Sequence, residues 1–386
     1  MTQPRPQTPK LRIGLLRLTD SAPVIVAEEF GYFADEGIDA ELSVEPSWAN
    51  IADKLTYGFL DAAVIVPPLA FAVSLGLRGA AEPLVVPHVV SLGGNTITLT
   101  PELTGKVRAA AARDNLIMPQ AFAAVLRDEK PEGLSLGTVH TYSTHNLLLR
   151  YWLAAGGLDP DRDVRLSVVP PSLAVEALRS GKISGFCAGA PWGNMAERAG
   201  VGAPIASSKD IWRNAPEKVF AVRARWMDDH PDALIGAQRA LLRAAQFCDA
   251  PENASYTGAL LSRKKYLNVD SHAVISSLPG GSVSLDSGSY FYRHATNFPW
   301  RSQAVWFLEQ MKRWNLVAAD TDAAAVAAQI YRPDLFRAAA ASLGLPAPRA
   351  DSKSEGTHNA EWKTESADGT ITMGPDTLCD GARFGA

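Results

Sequence analysis

Two stretches of the chain carry the same pattern of apolar and polar positions. From Ile51 the apolar residues Ile51, Leu55 and Phe59 recur at helical spacing through Gly58, and Asp61-Ala-Ala-Val-Ile-Val follows as a short apolar strand closed by Pro67-Pro68. From Ala174 the helix-period run Ala174-Val-Glu-Ala-Leu-Arg-Ser passes Gly181 into Ile183-Ser-Gly-Phe-Cys-Ala-Gly, and Ala190, Pro191 and Trp192 close it. A unit of helix, glycine, strand and proline turn that occurs early and again after a crossover predicts two similar α/β lobes facing each other across a cleft. A clamp of that kind binds a ligand between its halves.

The same reading places the other elements. Leu11-Arg-Ile-Gly-Leu-Leu predicts the opening strand, Ser21 the cap of a helix closed by Gly37, Ile38 to Val44 a second strand, and Ser47 the cap of a helix beginning at Trp48. A helix near 69–75 and an extended run from Pro83 lead to Gly93-Gly94, just after which the chain crosses to the other lobe. The second lobe is expected to hold a charged helical region near 109–130, strands at 134–139 and 164–169, and a helix capped by Ser143-Thr144 that ends at Gly156-Gly157. Near Pro216-Glu-Lys-Val-Phe-Ala-Val an extended segment re-enters the first lobe. Helices are predicted at 233–248, 254–261 and 302–314, with a long loop through Gly280-Gly281 between the last two.

The expected organisation is thus a flexible N-terminus over 1–10, a discontinuous first lobe over 11–100 plus 217–345, and a second lobe over 101–216. A polar C-terminal extension over 346–386 packs on a lobe or is mobile.

Composition narrows the partners. A 386-residue chain with 47% hydrophobic residues has ample core for two lobes. Its formal net charge of −4 argues against direct contact with nucleic acid or an anionic membrane, which needs a clustered basic face. No stretch approaches the roughly 18 apolar residues of a membrane span. The first ten residues are polar and proline-rich, without the apolar core of a secretory signal, so with Met1 as the start a cytoplasmic location is expected. Cys187, Cys248 and Cys379 are too far apart for a disulfide framework or zinc spacing, and buried reduced thiols are expected.

Candidate chemistry gathers at four positions suited to an oxyanion. Trp48 opens a helix, where its ring can wall the cleft and its indole N–H donate. Asn95 follows the Gly93-Gly94 crossing and could present an amide N–H. His145 opens the helix after Ser143-Thr144, where the macrodipole favours a bound anion and a neutral imidazole still donates one hydrogen bond. Lys218, at the return crossing, could supply the full positive charge that a monovalent anion needs. Core tryptophan, turn asparagine, capping histidine and solvated surface lysine are the plain alternatives. No nucleophile elbow, phosphate loop, zincin helix or paired-cysteine site is present, which favours binding over catalysis, with no cofactor and no metal.

At these residues the chain resembles the nitrate- and bicarbonate-binding proteins of ABC transporters, a family of type II periplasmic-binding-protein fold. The resemblance lies in Pro46-Ser-Trp-Ala-Asn, Leu92-Gly-Gly-Asn-Thr-Ile-Thr, Thr144-His-Asn-Leu-Leu-Leu-Arg-Tyr-Trp-Leu-Ala-Ala-Gly-Gly, Val168-Val-Pro-Pro, Cys187-Ala-Gly-Ala-Pro-Trp and Asp210-Ile-Trp-Arg-Asn-Ala-Pro-Glu-Lys. It implies that Trp48, Asn95, His145 and Lys218 contact the anion, Asn95 being one methylene shorter than the family's glutamine. Bicarbonate-binding relatives carry a metal-holding acid at the position of Lys218, so lysine there implies a metal-free anion such as nitrate or nitrite. Ala190 replaces an acidic residue usual in transport members. With the missing signal segment, this makes the chain similar to cytosolic nitrate/nitrite sensors of the NasS type, which hold an RNA-binding antiterminator of the NasT type inactive until the anion binds. Two other roles remain open: the substrate-binding component of an ABC transporter for nitrate, bicarbonate or a sulfonate, and an enzyme of thiamine-pyrimidine-precursor synthesis on the same fold.

Overall fold

The computed structural model describes residues 8–129, 134–281, 285 and 288–385. Residues 1–7 of the expected flexible terminus, and Lys130 at the end of the charged helical region, lie outside them.

The strands in chain order are β1 (Lys10–Leu15), β2 (Asp39–Val44), β3 (Ala62–Ile65), β4 (Leu84–Leu92), β5 (Asn95–Leu99), β6 (Ser135–Thr138), β7 (Arg165–Val168), β8 (Gly185–Gly189), β9 (Ala203–Ser207), β10 (Pro216–Arg223), β11 (Trp362–Ser366) and β12 (Gly369–Met373). They form two five-stranded sheets, ordered β2-β1-β3-β10-β4 and β7-β6-β8-β5-β9, and the hairpin β11-β12. The two orders correspond strand for strand. In each sheet the first three strands are parallel, and the fourth, antiparallel to the third, is the strand that arrives from a crossing. The repeated units occupy equivalent places: helix Trp48–Thr56 leads through Gly58 to β3, and helix Ala174–Arg179 through Gly181 to β8. Both glycines have φ near +70°, which a residue with a Cβ adopts at a cost. Phe59, expected on the apolar helical stripe, lies beyond the end of that helix and is 66% exposed.

The first crossing falls at Gly93-Gly94, so residues 95–99 pair with β8 and β9 in the second sheet rather than closing the first lobe at residue 100. Both glycines of the turn have positive φ, and a Cβ on Gly94 would lie 2.4 Å from Ser289 Oγ, so glycine is required there, while pairing with β8 and β9 assigns the residues that follow to the second sheet. β4 is buried along its whole length and β10 up to Val222, and these runs are largely apolar apart from His88 and Ser91 in β4 and Glu217 and Lys218 in β10. Burial of each core Leu, Ile or Phe side chain contributes about 1.5–3 kcal/mol.

Ser47 and Ser143 accept from the N–H groups of Asn50 and Asn146, as capping residues should. Ser21 does not cap by its side chain. A 3-10 turn over Thr19–Ser21 runs directly into helix Ala22–Glu29, and Ser21 Oγ donates instead to the carbonyl of Leu16. The C-terminal extension is packed rather than mobile: Glu355 is fully buried against Lys353 and accepts from Ser302, Asp376 accepts from the backbone N–H of His358, and the His358 ring stacks on Trp362. Among the described residues no helix is long and apolar enough to cross a membrane.

Candidate functional site

The four residues singled out in the sequence come from four elements, two in each lobe, and their side chains are buried between the sheets. Trp48 is the first residue of its helix, His145 the second residue of helix Thr144–Ala155, Asn95 the first of β5 and Lys218 the third of β10. None is more than 1% exposed. The Lys218 ammonium lies 5.4 Å from the centre of the Trp48 ring, a cation–π distance.

Two further residues, missed in the sequence, complete the cluster. The ammonium of Lys218 stands 2.7 Å from Asp20 Oδ2 and 2.5 Å from Glu217 Oε1. Asp20 sits in the 3-10 turn beyond the carboxyl end of β1, where ligands of open α/β sheets gather, and that position was the one available signal. Glu217 belonged to the quoted Pro-Glu-Lys motif, but as a strand neighbour of Lys218 it is expected to point to the opposite face. Here a register irregularity between Pro216 and Lys218 places a β-bulge at Glu217 and brings both side chains into the same site.

Asn95 is already engaged within the protein. Its amide Nδ2 donates to Glu217 Oε2 rather than into open space, and Oδ1 has no partner. His145 Nε2 approaches Glu217 Oε1 to 3.3 Å without hydrogen-bond alignment, and both ring nitrogens lack a hydrogen-bond partner. The Trp48 indole N–H and Asp20 Oδ1 are also unpartnered. Buried polar atoms rarely go unsatisfied, and this concentration of them makes the cluster the candidate ligand site. The strand opposite Asn95 packs closely on the cluster. Gly189 is the register partner of Asn95, and a Cβ there would lie 3.4 Å from Asn95 Oδ1 and 3.5 Å from His145 Nε2.

Electrostatics follow from burial. Burial opposes the charge of Lys218, but Asp20 and Glu217 outweigh it and raise its pKa, so it stays an ammonium. Burial, helped by Lys218, drives the His145 pKa well down, which holds the imidazole neutral. Burial lifts the Glu217 carboxyl to about 7 against the pull of Lys218, and Asp20 pushes in the same direction. The lysine expected to offer a free positive charge is thus already neutralised. On β8, burial and Glu217 push the Cys187 thiol up, so no thiolate nucleophile stands here.

The lobes are joined directly beside the cluster. Thr19 N donates across the cleft to the carbonyl of Ala190, and Ala190 N donates to the carbonyl of Gly94. At the mouth, a depression of about 170 Å³ is lined by Leu16, Arg17, Glu45 and Pro46 of the first lobe and by Pro171 and Ser172 of the second.

Comparison with known proteins places this architecture. Residues 4–262 match the NMT1-like family. The chain belongs to that family. It is 30% identical over 361 residues to the nitrate/nitrite binding protein NrtA of Nostoc sp., an alignment covering 89% of this chain and 79% of that protein. It is 35% identical over 349 residues to the nitrate import ATP-binding protein NrtC of Synechocystis sp., covering 87% of this chain but 50% of that protein. The chain spans about half the length of the first curated relatives it matches. Among solved structures, the periplasmic nitrate-binding protein NrtA from Synechocystis superposes with a TM-score of 0.83 at 26% identity, covering 98% of this chain and 96% of that one. The fold of this NMT1-like chain is that of the periplasmic binding proteins.

Proposed function

We propose that the chain is a clamp for a small monovalent oxyanion, nitrate or nitrite, held between its lobes by Trp48, Asn95, His145 and Lys218. The observation that carries this reading is the buried ammonium of Lys218, facing the Trp48 ring, among donors that have no protein partner. A planar anion suits such a set: the indole and imidazole N–H groups supply directional hydrogen bonds beside an ammonium already paired with Asp20 and Glu217. The names of the relatives support the choice of anion, since NrtA proteins are nitrate/nitrite binders.

Of the three roles weighed, the substrate-binding component of an ABC importer is best supported, because the similar proteins are named as transport and periplasmic binding components. The narrower sensor reading, with a NasT-type antiterminator as partner, rests on Ala190. Calorimetric titration of the anion-free protein with nitrate, nitrite, bicarbonate plus calcium, and taurine tests the site. Saturable nitrate or nitrite binding supports it, and binding of bicarbonate or taurine alone overturns it. Nitrate-driven release of an added antiterminator is the result the sensor role requires, and a complex indifferent to nitrate overturns that role.

A further inference from the structure

The charge count of the buried cluster does not balance for an anion receptor. Asp20 and Glu217 bring two negative charges when ionised and Lys218 one positive charge, while His145 is held neutral. All four are sealed from solvent, with Asp20 the most accessible at 3%. The empty cluster with both acids ionised therefore carries a net −1, and a monovalent anion would make it −2 in a region that screens little. Lys218 cannot offset this, because it faces both carboxylates at hydrogen-bonding distance. Among the described residues, the titratable groups that face Glu217 are Asp20 from the turn after β1, His145 from its helix, Lys218 on its own strand and Cys187 from β8. No second cation stands among them.

Building on the nitrate/nitrite reading above, we propose that the anion enters this site together with one proton, which Glu217 takes up, so that the clamp binds an anion–proton pair. Glu217 is the group placed for it. Its Oε1 faces Lys218 and His145, and its Oε2 faces the amide of Asn95. As a carboxylic acid it donates from Oε2 to Asn95 Oδ1 once that amide rotates by half a turn. The rotation satisfies the orphaned Oδ1 and turns Nδ2 toward Gly189, freeing a donor for an anion. Binding of the anion and protonation of Glu217 thereby favour each other by linkage. The burial that already lifts this carboxyl agrees with that direction.

Nitrate is the probe, because it holds no proton of its own near neutral pH. Titrations near pH 8 in buffers of different ionisation enthalpy should show close to one proton taken up per nitrate bound. The nitrate Kd should rise by close to tenfold per pH unit above neutrality and level off in mild acid. In E217Q the uptake should vanish and the Kd should no longer depend on pH. Saturable nitrate binding with no proton uptake, or uptake that persists in E217Q, overturns this inference and leaves the anion reading standing. Absence of nitrate binding at every pH overturns the anion reading itself and this inference with it.

Discussion

Glu217 and Lys218 are sequence neighbours on one strand, yet the carboxylate and the ammonium meet at 2.5 Å. The bulge between Pro216 and Lys218 makes this contact possible, since an unperturbed strand would send the two side chains to opposite faces of the sheet. The irregularity sits where the chain re-enters the first lobe, so it fixes both the return crossing and the charge of the candidate site.

Removing the ammonium should therefore be expensive. Lys218→Met leaves Asp20 and Glu217 buried with no cation between them, which is expected to destabilise the fold by about 3–5 kcal/mol and to abolish nitrate binding. Urea denaturation and calorimetry measure the two effects. An unchanged unfolding midpoint would show that the two acids are neutral in the absence of ligand.

Trp48→Phe separates packing from ligand contact. The indole N–H is buried without a partner, so its loss should cost the empty protein little, while the ring is kept. If the N–H donates to the anion, affinity should fall by roughly 10- to 100-fold, the range for a hydrogen bond to a charged group. Equal nitrate affinity in the variant would remove Trp48 from the site.

Gly189→Ala tests the space opposite Asn95. The new methyl would rest at ordinary contact distance, 3.4 Å from Asn95 Oδ1 and from Leu18, so the variant should fold with a stability change under about 1 kcal/mol. If the anion lies between Asn95 and His145, the variant should nonetheless bind nitrate at least about tenfold more weakly, because the methyl fills the gap between them. Wild-type affinity would move the site elsewhere.

The pH dependence of stability has a definite sign. The Glu217 carboxyl titrates near 7 in the folded chain and near its ordinary 4.5 when unfolded. The folded state thus holds this proton more tightly, and the group's contribution to stability is present in acid and lost as pH rises from about 4.5 through about 7. E217Q lacks that loss. Relative to the wild type, the variant should gain on the order of 3 kcal/mol between mildly acidic and mildly alkaline pH without ligand. Parallel stability curves for the two proteins would place the Glu217 proton equilibrium at its ordinary value.

The sequence by itself determined the repeated units, the crossing at Gly93-Gly94 and the return near Lys218, since these depend on periodicity and on glycines needing positive φ, which are local properties. It also pointed to Trp48, Asn95, His145 and Lys218, whose positions at helix starts and crossings can be read from neighbouring residues. Only the tertiary structure decided that residues 95–99 belong to the second sheet, because strand pairing is a long-range property that the turn alone does not specify. The same holds for the partners of Lys218. Asp20 reaches it from nearly two hundred positions away, and Glu217 reaches it through a bulge that depends on the pairing with β4. Sequence reading identified a lysine and assigned it a free charge. Burial and those two acids determine how much of that charge remains for a ligand.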